Sequence, residues 1–312
     1  MSINEKVDNI ENDDEMDIKT WDDLNVKREL LRGIYSYGYE NPSPIQKKAI
    51  TPIIKGRDVI AQAQSGTGKT ACFTVASLEL LDTKKSDIQV IILSPTRELS
   101  FQTKTVLDSL AISIKNYKSQ LLVGGTSTEN DIKLLKENTP QIIVGCPGRI
   151  HDMLRRKHIN SNTIKLVILD EADEMLSSGF KEQIYSIFQY LINDIQIALF
   201  SATMPVTLYS LTEKFMRNPI KIVVKNEQLT LEGIKQFYVG LENDSTKFDT
   251  LKDIFSLISM SQCMIYCNSI KRVDHLYENM ILEDYPVIKI HSGMSEAERR
   301  ESHNDIKTGN AR

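Results

Sequence analysis

The chain has few cysteines, no long apolar run and little net charge, and each shortage excludes a class of protein. Its four cysteines include no Cys-x-x-Cys pair, and only Cys263 and Cys267 are close, within an apolar run. Reduced, mostly buried thiols of an intracellular protein are therefore favoured over a metal site. No stretch approaches the roughly 18 apolar residues of a membrane span, and the acidic N-terminus is unlike a secretory or transit peptide. We expect a cytoplasmic protein without membrane contact.

The net charge of −4 is unevenly distributed. Residues 1–19 hold seven acidic residues and two lysines, so they carry −5 and the rest of the chain +1. Because this segment also has few apolar side chains, we predict a disordered acidic tail. The near-neutral remainder neither suggests nor excludes a nucleic-acid partner.

Short apolar runs alternate with helix-like segments from Trp21 onward. The runs are too short for buried helices and apolar on both faces, as parallel strands covered by helices should be. They are residues 59–61, 90–93, 121–123, 142–144, 166–169, 197–200 and 222–224. This alternation predicts an α/β fold with a doubly wound parallel sheet over residues 20–224.

A polar stretch at residues 225–233 predicts a linker, after which the alternation resumes over residues 234–312. The pattern there predicts strands at 236–240, 264–267 and 287–290, and helices near 246–259, 270–282 and 295–308. A block of this length buries limited apolar surface, and an unfinished sheet leaves open edges. We therefore expect a second, incomplete α/β domain.

The sharpest local pattern is Ala63-Gln64-Ser65-Gly66-Thr67-Gly68-Lys69-Thr70, which lies between a predicted strand and a predicted helix. This is the context of a phosphate-binding loop, although Ala63 replaces the usual Gly. Glycines let backbone N–H groups turn toward phosphate oxygens, and the helix N-terminus adds partial positive charge. Lys69 would reach the β- and γ-phosphates and Thr70 would face Mg²⁺. The alternative is a glycine-rich turn before an ordinary helix.

A carboxylate pair supports the phosphate loop. The apolar run 166–169 leads directly into Asp170-Glu171-Ala172-Asp173. A carboxylate at the end of a strand suits a Mg²⁺ ligand, so Asp170 would hold the ion. Glu171 would orient and deprotonate the attacking water. Alone, the tetrapeptide is equally well explained as an acidic helix start; together with the loop it favours a hydrolase.

Asp170-Glu171-Ala172-Asp173 resembles the motif that names the DEAD-box RNA helicase family, and other family motifs follow in order across residues 21–312. The resemblance implies a RecA-like ATP-binding domain and a second, partial RecA-like domain. It also implies ATP and Mg²⁺ as cofactors and RNA as a partner held by its backbone. The sequences of residues 30–39 and 61–67 are most similar to those of the translation initiation factor 4A subfamily. This similarity implies a translation-initiation scaffold protein as a further partner.

The stretch from Gly38 to Gln46 resembles the family's adenine-recognition motif. By this resemblance Gln46 hydrogen-bonds the adenine edge and Tyr39 stacks on its ring. A carboxamide offers both a donor and an acceptor, which suits adenine and selects ATP over GTP. Trp21 stands 17 residues before Gly38, where the family usually has Phe.

Three loops resemble the family's RNA-contacting motifs. They are Pro95-Thr96-Arg97-Glu98-Leu99, Gly124-Gly125 and Cys146-Pro147-Gly148-Arg149, with Cys146 where the family usually has Thr. Each follows an apolar run and precedes a helix, so all three are predicted at the carboxyl edge of the sheet, where open α/β folds bind ligands. Helix N-termini, glycine N–H groups and two arginines suit a phosphodiester backbone. Singly, each loop is explained as a helix cap.

Two further resemblances concern coupling and the second block. Ser201-Ala202-Thr203 matches the family's coupling tripeptide, whose hydroxyls would bridge to Asp173; alone it would be an N-cap before Pro205. The segment 264–269 resembles the first motif of the family's second domain. Two later elements depart from the family, with Ser292 replacing Gly and Glu296 replacing Gln. Arg299 is therefore either a phosphate contact or a solvated helix residue.

The family's later motifs, including the one that supplies arginine fingers, do not occur before Arg312. Such an arginine accelerates hydrolysis about 10³- to 10⁵-fold, so RNA-coupled turnover is expected to be lost unless another chain supplies one. Two classes of function follow. The first is an ATP-dependent RNA helicase of the initiation factor type; the second is a truncated module that binds ATP, RNA or a translation-factor scaffold without hydrolysis.

Overall fold

The computed structural model describes residues 18–177, 179–192, 194–223, 235–258 and 262–311. The chain divides into two compact units, Met1–Glu232 and Gly233–Arg312. Most of the predicted acidic tail and all of the predicted linker lie outside the described residues. Ile18, near the end of the tail segment, is buried in the core of the first unit. Among the described residues, no helix combines the length and apolar character needed to cross a membrane.

The first unit is built on a seven-stranded sheet in which every described pairing is parallel. Its strands are β1 Val59–Gln62, β2 Val90–Leu93, β3 Ser119–Leu122, β4 Ile142–Gly145, β5 Leu166–Leu169, β6 Gln196–Ser201 and β7 Ile220–Val223. Their order across the sheet is β3-β4-β2-β5-β6-β1-β7. The predicted doubly wound parallel sheet is confirmed for this unit.

Helices cover both faces of this sheet. They are α1 Arg28–Ser36, α2 Pro44–Ile54, α3 Lys69–Leu80, α4 Arg97–Leu110, α5 Thr128–Glu137, α6 Pro147–Arg155, α7 Ala172–Ser177, α8 Lys181–Tyr190 and α9 Val206–Phe215. Because successive strand residues face opposite sides, neighbours such as Ile91 and Ile92 belong to different cores. One core contains Trp21 and Phe73, and the other contains Phe188. Both faces of the sheet are therefore apolar, which explains the uninterrupted runs in the sequence.

Local caps fix where the helices begin, and thereby where the candidate site residues lie. Thr96 accepts a hydrogen bond from the Leu99 amide at 3.2 Å and begins α4. Pro147 occupies the first turn of α6, where its missing N–H costs nothing. Since β2 precedes α4 and β4 precedes α6, these helix starts meet at the carboxyl edge of the sheet. The phosphate loop likewise follows a strand and precedes a helix, because it lies between β1 and α3.

The second unit contains three α-helices among its described residues, α10 Lys247–Leu257, α11 Ile270–Leu282 and α12 Glu296–Thr308. Ser269 and Ser295 cap the last two of these helices. The strands predicted at 236–240, 264–267 and 287–290 are wrong, because the described backbone makes no ladder hydrogen bonds there. A strand forms only when its backbone is hydrogen-bonded to a neighbouring strand. Aromatic side chains in these segments are also left uncovered by other elements: Tyr238 is 97% exposed and Tyr266 is 87% exposed.

Candidate active site

The phosphate loop connects β1 to α3 and holds two glycines in left-handed conformations. Gly66 has a φ of 83° and Gly68 a φ of 96°, values that side chains on other residues disfavour. A Cβ atom on Gly68 would lie 2.4 Å from the Gln46 amide nitrogen, so a side chain at this position would displace the Gln46 carboxamide. Lys69 follows as the first residue of α3 and is only 5% exposed. The loop therefore has the backbone geometry that a phosphate-binding turn requires.

The acidic strand end and the loop lysine lie together, as the sequence predicted. The Lys69 Nζ atom lies 2.8 Å from Glu171 Oε1. Asp170, which follows β5, is 5% exposed and accepts a hydrogen bond from the Glu171 amide at 3.1 Å. Burial, reinforced by the Glu171 charge and opposed by Lys69, raises the pKa of Asp170 to about 7. A carboxylate removed from water in this way gains from a cation brought against it.

Glu171 itself has an unusual backbone conformation. Its φ is 50°, in the left-handed region that non-glycine residues rarely adopt. Strained residues of this kind cluster at functional sites, where surrounding structure holds them in place. Here the Lys69 ion pair and the Asp170 hydrogen bond both act on the residue. The sequence pattern gave no indication of this conformation.

Gln46 joins the predicted adenine motif to the phosphate loop. Its Nε2 donates to the Gly68 carbonyl at 3.0 Å, and its Oε1 accepts from the Ser43 amide at 2.6 Å. The second contact belongs to a capping box that begins α2. A carboxamide has two donor hydrogens and two acceptor lone pairs, so one of each is left for a ligand. Gln46 is thus a tether between the two segments, a role that the sequence did not indicate.

Three aromatic rings lie beside this segment. Trp21 is fully buried and stacks with Tyr39 at a centroid distance of 6.1 Å and an interplanar angle of 28°. Tyr37 contacts the same ring at 4.8 Å. Tyr39 is only half-buried, and this burial raises the pKa of its phenol. Because Trp21 is buried in the core, Tyr39 is the ring of this pair whose exposed surface is accessible to a planar ligand.

The coupling residues predicted from sequence are in direct contact. Thr203 donates to Asp173 Oδ2 through its hydroxyl at 2.6 Å and through its amide at 3.0 Å. The Asp173 amide donates to the Ser201 hydroxyl, which in turn donates to the Thr203 carbonyl at 2.7 Å. Burial raises the pKa of Asp173, but these hydrogen bonds to its charged form outweigh burial and leave it below its usual value. The network joins the start of α7 to the end of β6.

Arg97, at the start of α4, lies against the glycine pair that follows β3. A Cβ atom on Gly125 would lie 2.3 Å from Arg97 Nη1, and one on Gly124 would lie 3.7 Å from Nη2. Gly125 has a φ of 85°, so both the close approach and the backbone favour glycine. The structure thus brings two of the three predicted RNA-contacting loops together.

Arg149, in the third loop, is engaged by protein groups. Its Nη1 forms an ion pair with Asp131 and lies 3.2 Å from the Thr126 hydroxyl, while Nη2 donates to the Thr126 carbonyl at 2.9 Å. The side chains of Arg149 and Asp131 are 10% and 7% exposed. Burial raises the pKa of Asp131, and the Arg149 guanidinium offsets part of that rise. Asp131 is a site residue that the sequence reasoning missed; its only signal was a carboxylate in the first turn of the helix after the glycine pair.

Four further positions of the predicted motifs lie away from these contacts or make fewer of them. Cys146 is buried, and its sulfur lies 3.7 Å from the Ser100 hydroxyl; burial raises the pKa of its thiol. Pro147 is buried beside it, whereas Gly148 is exposed. Arg299 belongs to the second unit, where it is partly buried and its Nε has no hydrogen-bond partner among the described residues.

Comparison with known proteins agrees with this arrangement. A family model described as DEAD/DEAH box helicase matches residues 43–211, and one described as helicase conserved C-terminal domain matches residues 246–312. The chain is 46% identical over 303 residues to ATP-dependent RNA helicase eIF4A of Pyricularia oryzae, covering 97% of this chain and 76% of that protein. It is 47% identical over 295 residues to the protein of the same name from Debaryomyces hansenii, covering 95% and 74%.

Solved structures give the same result. Saccharomyces cerevisiae Dbp5 bound to RNA and ADP BeF3 matches with a TM-score of 0.84 and 32% identity, over 94% of this chain and 74% of that one. A DEAD box protein from the hyperthermophile Methanococcus jannaschii matches with a TM-score of 0.64 and 32% identity, over 94% and 78%. Together these matches indicate two RecA-like domains, which confirms the fold class predicted from the sequence.

Proposed function

The chain belongs to the DEAD/DEAH box helicase family, and we propose that it is an ATP-dependent RNA helicase of the translation initiation factor 4A type. The family match and the 46% identity to proteins named as ATP-dependent RNA helicases support this function. One observation in the structure carries it: Lys69 lies 2.8 Å from Glu171, beside a buried Asp170. A lysine at a glycine turn and two carboxylates at a strand end are the groups that phosphoryl transfer from a nucleotide requires.

We propose that ATP binds across the phosphate loop and the adenine motif. The nucleotide-binding residues are Tyr39, Gln46, Ala63, Gln64, Ser65, Gly66, Thr67, Gly68, Lys69 and Thr70. Thr70 and Asp170 would hold Mg²⁺, and the burial of Asp170 fits a carboxylate that faces a cation. Held there, Mg²⁺ would offset the negative charge of the phosphate oxygens.

The proposed chemistry divides among three side chains. Lys69 binds the β- and γ-phosphate oxygens through its ammonium group. Glu171 orients the attacking water and accepts its proton, a role that typically contributes about 10²- to 10⁴-fold in rate. Asp170 would hold the metal ion, and its carboxylate accepts a hydrogen bond from the Glu171 amide at 3.1 Å.

RNA would bind at the carboxyl edge of the sheet. The proposed contacts there are Pro95, Thr96, Arg97, Gly124, Gly125, Pro147 and Gly148. Arg149 of the same motif is engaged by Asp131 and Thr126. Arg299, in the second unit, is proposed as a separate RNA contact. Amides at helix starts and glycines hold a phosphodiester backbone and carry no base information, so binding would be independent of sequence. The contacts of Asp173 with Ser201 and Thr203 would link hydrolysis to domain movement. A translation-initiation scaffold protein is the proposed protein partner, and the cytoplasm the proposed location.

The direct test is RNA-stimulated phosphate release by the purified 312-residue chain. The helicase proposal predicts that wild type releases phosphate faster when single-stranded RNA is added, whereas the sequence without an arginine-finger motif led us to expect that this turnover is lost. Glu171→Gln should lower the RNA-stimulated rate about 10²- to 10⁴-fold. Glu174→Gln provides a matched control, because Glu174 follows three residues later, in α7, and is exposed.

Two outcomes contradict the proposal in different ways. Binding of ATP and RNA without any phosphate release would favour the non-hydrolysing module that the sequence left open. Phosphate release that Glu171→Gln leaves unchanged would show that the hydrolysis does not use this site.

A further inference from the structure

Arg149 is held by protein groups on three sides, although its motif suggests a direct phosphate contact. Its Nη1 forms an ion pair with the Asp131 carboxylate and donates to the Thr126 hydroxyl, and its Nη2 donates to the Thr126 carbonyl at 2.9 Å. Nine-tenths of its side chain is removed from solvent. A planar guanidinium bound in this way has a fixed orientation, and moving it to a phosphate would break several charge-assisted hydrogen bonds at once.

These contacts close a ring around the turn that follows the glycine pair. The Thr126 hydroxyl lies 3.0 Å from the Val123 carbonyl and 3.3 Å from Asp131 Oδ2. Asp131 lies in the first turn of α5, while Arg149 lies in α6. Two helix starts are therefore joined through one threonine, and the intervening turn cannot shift without disturbing both.

The turn held by this ring is the one that faces Arg97. Gly125 directly precedes Thr126, and its left-handed backbone lies so close to the Arg97 guanidinium that a Cβ atom there would displace it. A displacement of Thr126 would therefore change both the direction of the glycine N–H groups and their distance from Arg97. The ring fixes the geometry of the two loops on either side of it.

We propose that Asp131 and Arg149 are positioning residues that hold the Gly124-Gly125 turn in its RNA-binding conformation, and that Arg149 is not itself a phosphate ligand. This inference rests on the proposed function, because it assumes that this edge of the sheet binds RNA. It assigns a role to Asp131 and changes the role that the sequence motif suggests for Arg149.

Asp131→Asn distinguishes a positioning role of Arg149 from a phosphate contact, because the two roles predict opposite changes in RNA affinity. Removing a negative charge beside Arg149 makes the edge more positive and releases the guanidinium. If Arg149 contacts phosphate, RNA binding should tighten and its salt dependence should steepen. If Arg149 positions the turn, RNA binding should weaken about tenfold, the effect of losing one hydrogen-bonded charge partner.

The experiment measures the affinity of the full chain for fluorescein-labelled oligo-uridine, with ADP and beryllium fluoride present, over a series of salt concentrations. The variants are Asp131→Asn, Arg149→Lys and the double variant Asp131→Leu with Arg149→Met, which removes both buried charges together and limits the loss of stability. Arg155→Lys is the matched control on the same helix, and Arg97→Met is the reference for loss of a phosphate contact. Thermal melting followed by circular dichroism identifies a temperature at which every variant is folded.

We expect Asp131→Asn, Arg149→Lys and the double variant to weaken RNA binding while the slope of log K against log salt stays at the wild-type value. Arg97→Met should reduce the magnitude of that slope by about 0.7, the value for one contact to a single strand. A tighter Asp131→Asn complex, or a slope reduced by about 0.7 in the double variant, would overturn the positioning role while leaving the helicase assignment intact. Absence of RNA binding by wild type would instead overturn the proposed function and this inference with it.

Discussion

The Lys69 ammonium lies 2.8 Å from the Glu171 carboxylate, so the loop proposed to bind phosphate and the strand end proposed to activate water are in contact. Lys69 is 5% exposed and the Glu171 side chain 22%, which shields the pair from solvent. The two groups are separated by 102 positions in the sequence, and the parallel sheet brings them together. Their effects on turnover should therefore be linked.

Lys69→Met and Glu171→Gln are expected to be strongly non-additive. When two residues act as a unit in catalysis, removing either one already lowers the rate of hydrolysis by most of the total effect. The double variant should therefore hydrolyse ATP about as slowly as the worse single variant. Single-turnover phosphate release with RNA present measures the four members of this cycle. Losses that simply multiply in the double variant would show that the two groups act independently.

Gly68→Ala is expected to abolish ATP binding, whereas Gly56→Ala should not. Both glycines have positive φ, so each substitution should cost about 1–2 kcal/mol of folding free energy. Only at Gly68 does the new Cβ meet another group, the Gln46 amide at 2.4 Å; at Gly56 nothing lies within 4 Å. Urea unfolding and ATP titration of both variants separate backbone strain from damage to the loop. Equal loss of ATP binding in the two would contradict this assignment.

Gln46→Glu is expected to weaken ATP binding about tenfold, since it replaces an amide donor by an oxygen facing the Gly68 carbonyl. The contact with the Ser43 amide would persist, because that contact needs only an acceptor. The preference for ATP over GTP should also decrease. Fluorescence competition with both nucleotides measures these effects, with Gln102→Glu on the exposed face of α4 as control. Unchanged affinity and preference would exclude Gln46 from the nucleotide site.

Thr203→Val is expected to leave ATP hydrolysis in place and to reduce the separation of short RNA duplexes. The substitution removes the hydroxyl that donates to Asp173 at 2.6 Å and keeps the shape of the side chain. Assays of phosphate release and of strand displacement, run in parallel on the same variant, show whether unwinding falls while hydrolysis persists. Thr212→Val, which removes a hydroxyl from α9 away from the network, is the control. Equal reduction of both activities would argue against a coupling role.

Cysteine labelling should follow burial. Cys72 is fully buried and Cys146 nearly so, and burial raises the pKa of both thiols, which disfavours the reactive thiolate. Cys263 and Cys267 are only partly buried. Brief treatment of the folded protein with iodoacetamide, followed by mass spectrometry, should therefore modify Cys263 and Cys267 first. Early modification of Cys72 would indicate that α3 is not packed as described.

The sequence predicted the strands of the first unit because both faces of its sheet are buried. Runs such as 90–93 and 166–169 coincide with β2 and β5. The phosphate loop and the acidic strand end were also predictable, since each depends on residue types at fixed local spacing. Among the described residues of the second unit the same apolar pattern does not form strands, because a strand also needs a partner that local sequence cannot specify.

The contacts that could not be predicted are those between distant polar groups that no motif links. Nothing local indicates that Asp131 pairs with Arg149, or that Gln46 donates to the Gly68 carbonyl. The left-handed backbone of Glu171 is likewise set by its surroundings, because glutamate has no local preference for it. Motifs therefore gave the residue types of the site, and the fold decides which of them bind a ligand and which hold others in place.

Calorimetric titration of Mg²⁺ and ATP into the 312-residue chain tests most directly whether Lys69 and the Asp170-Glu171 pair bind one nucleotide. The structure predicts saturable binding at one site per chain, which Lys69→Met abolishes and which requires Mg²⁺. Absence of binding heat with wild type, or binding that Lys69→Met and removal of Mg²⁺ leave unchanged, would contradict it.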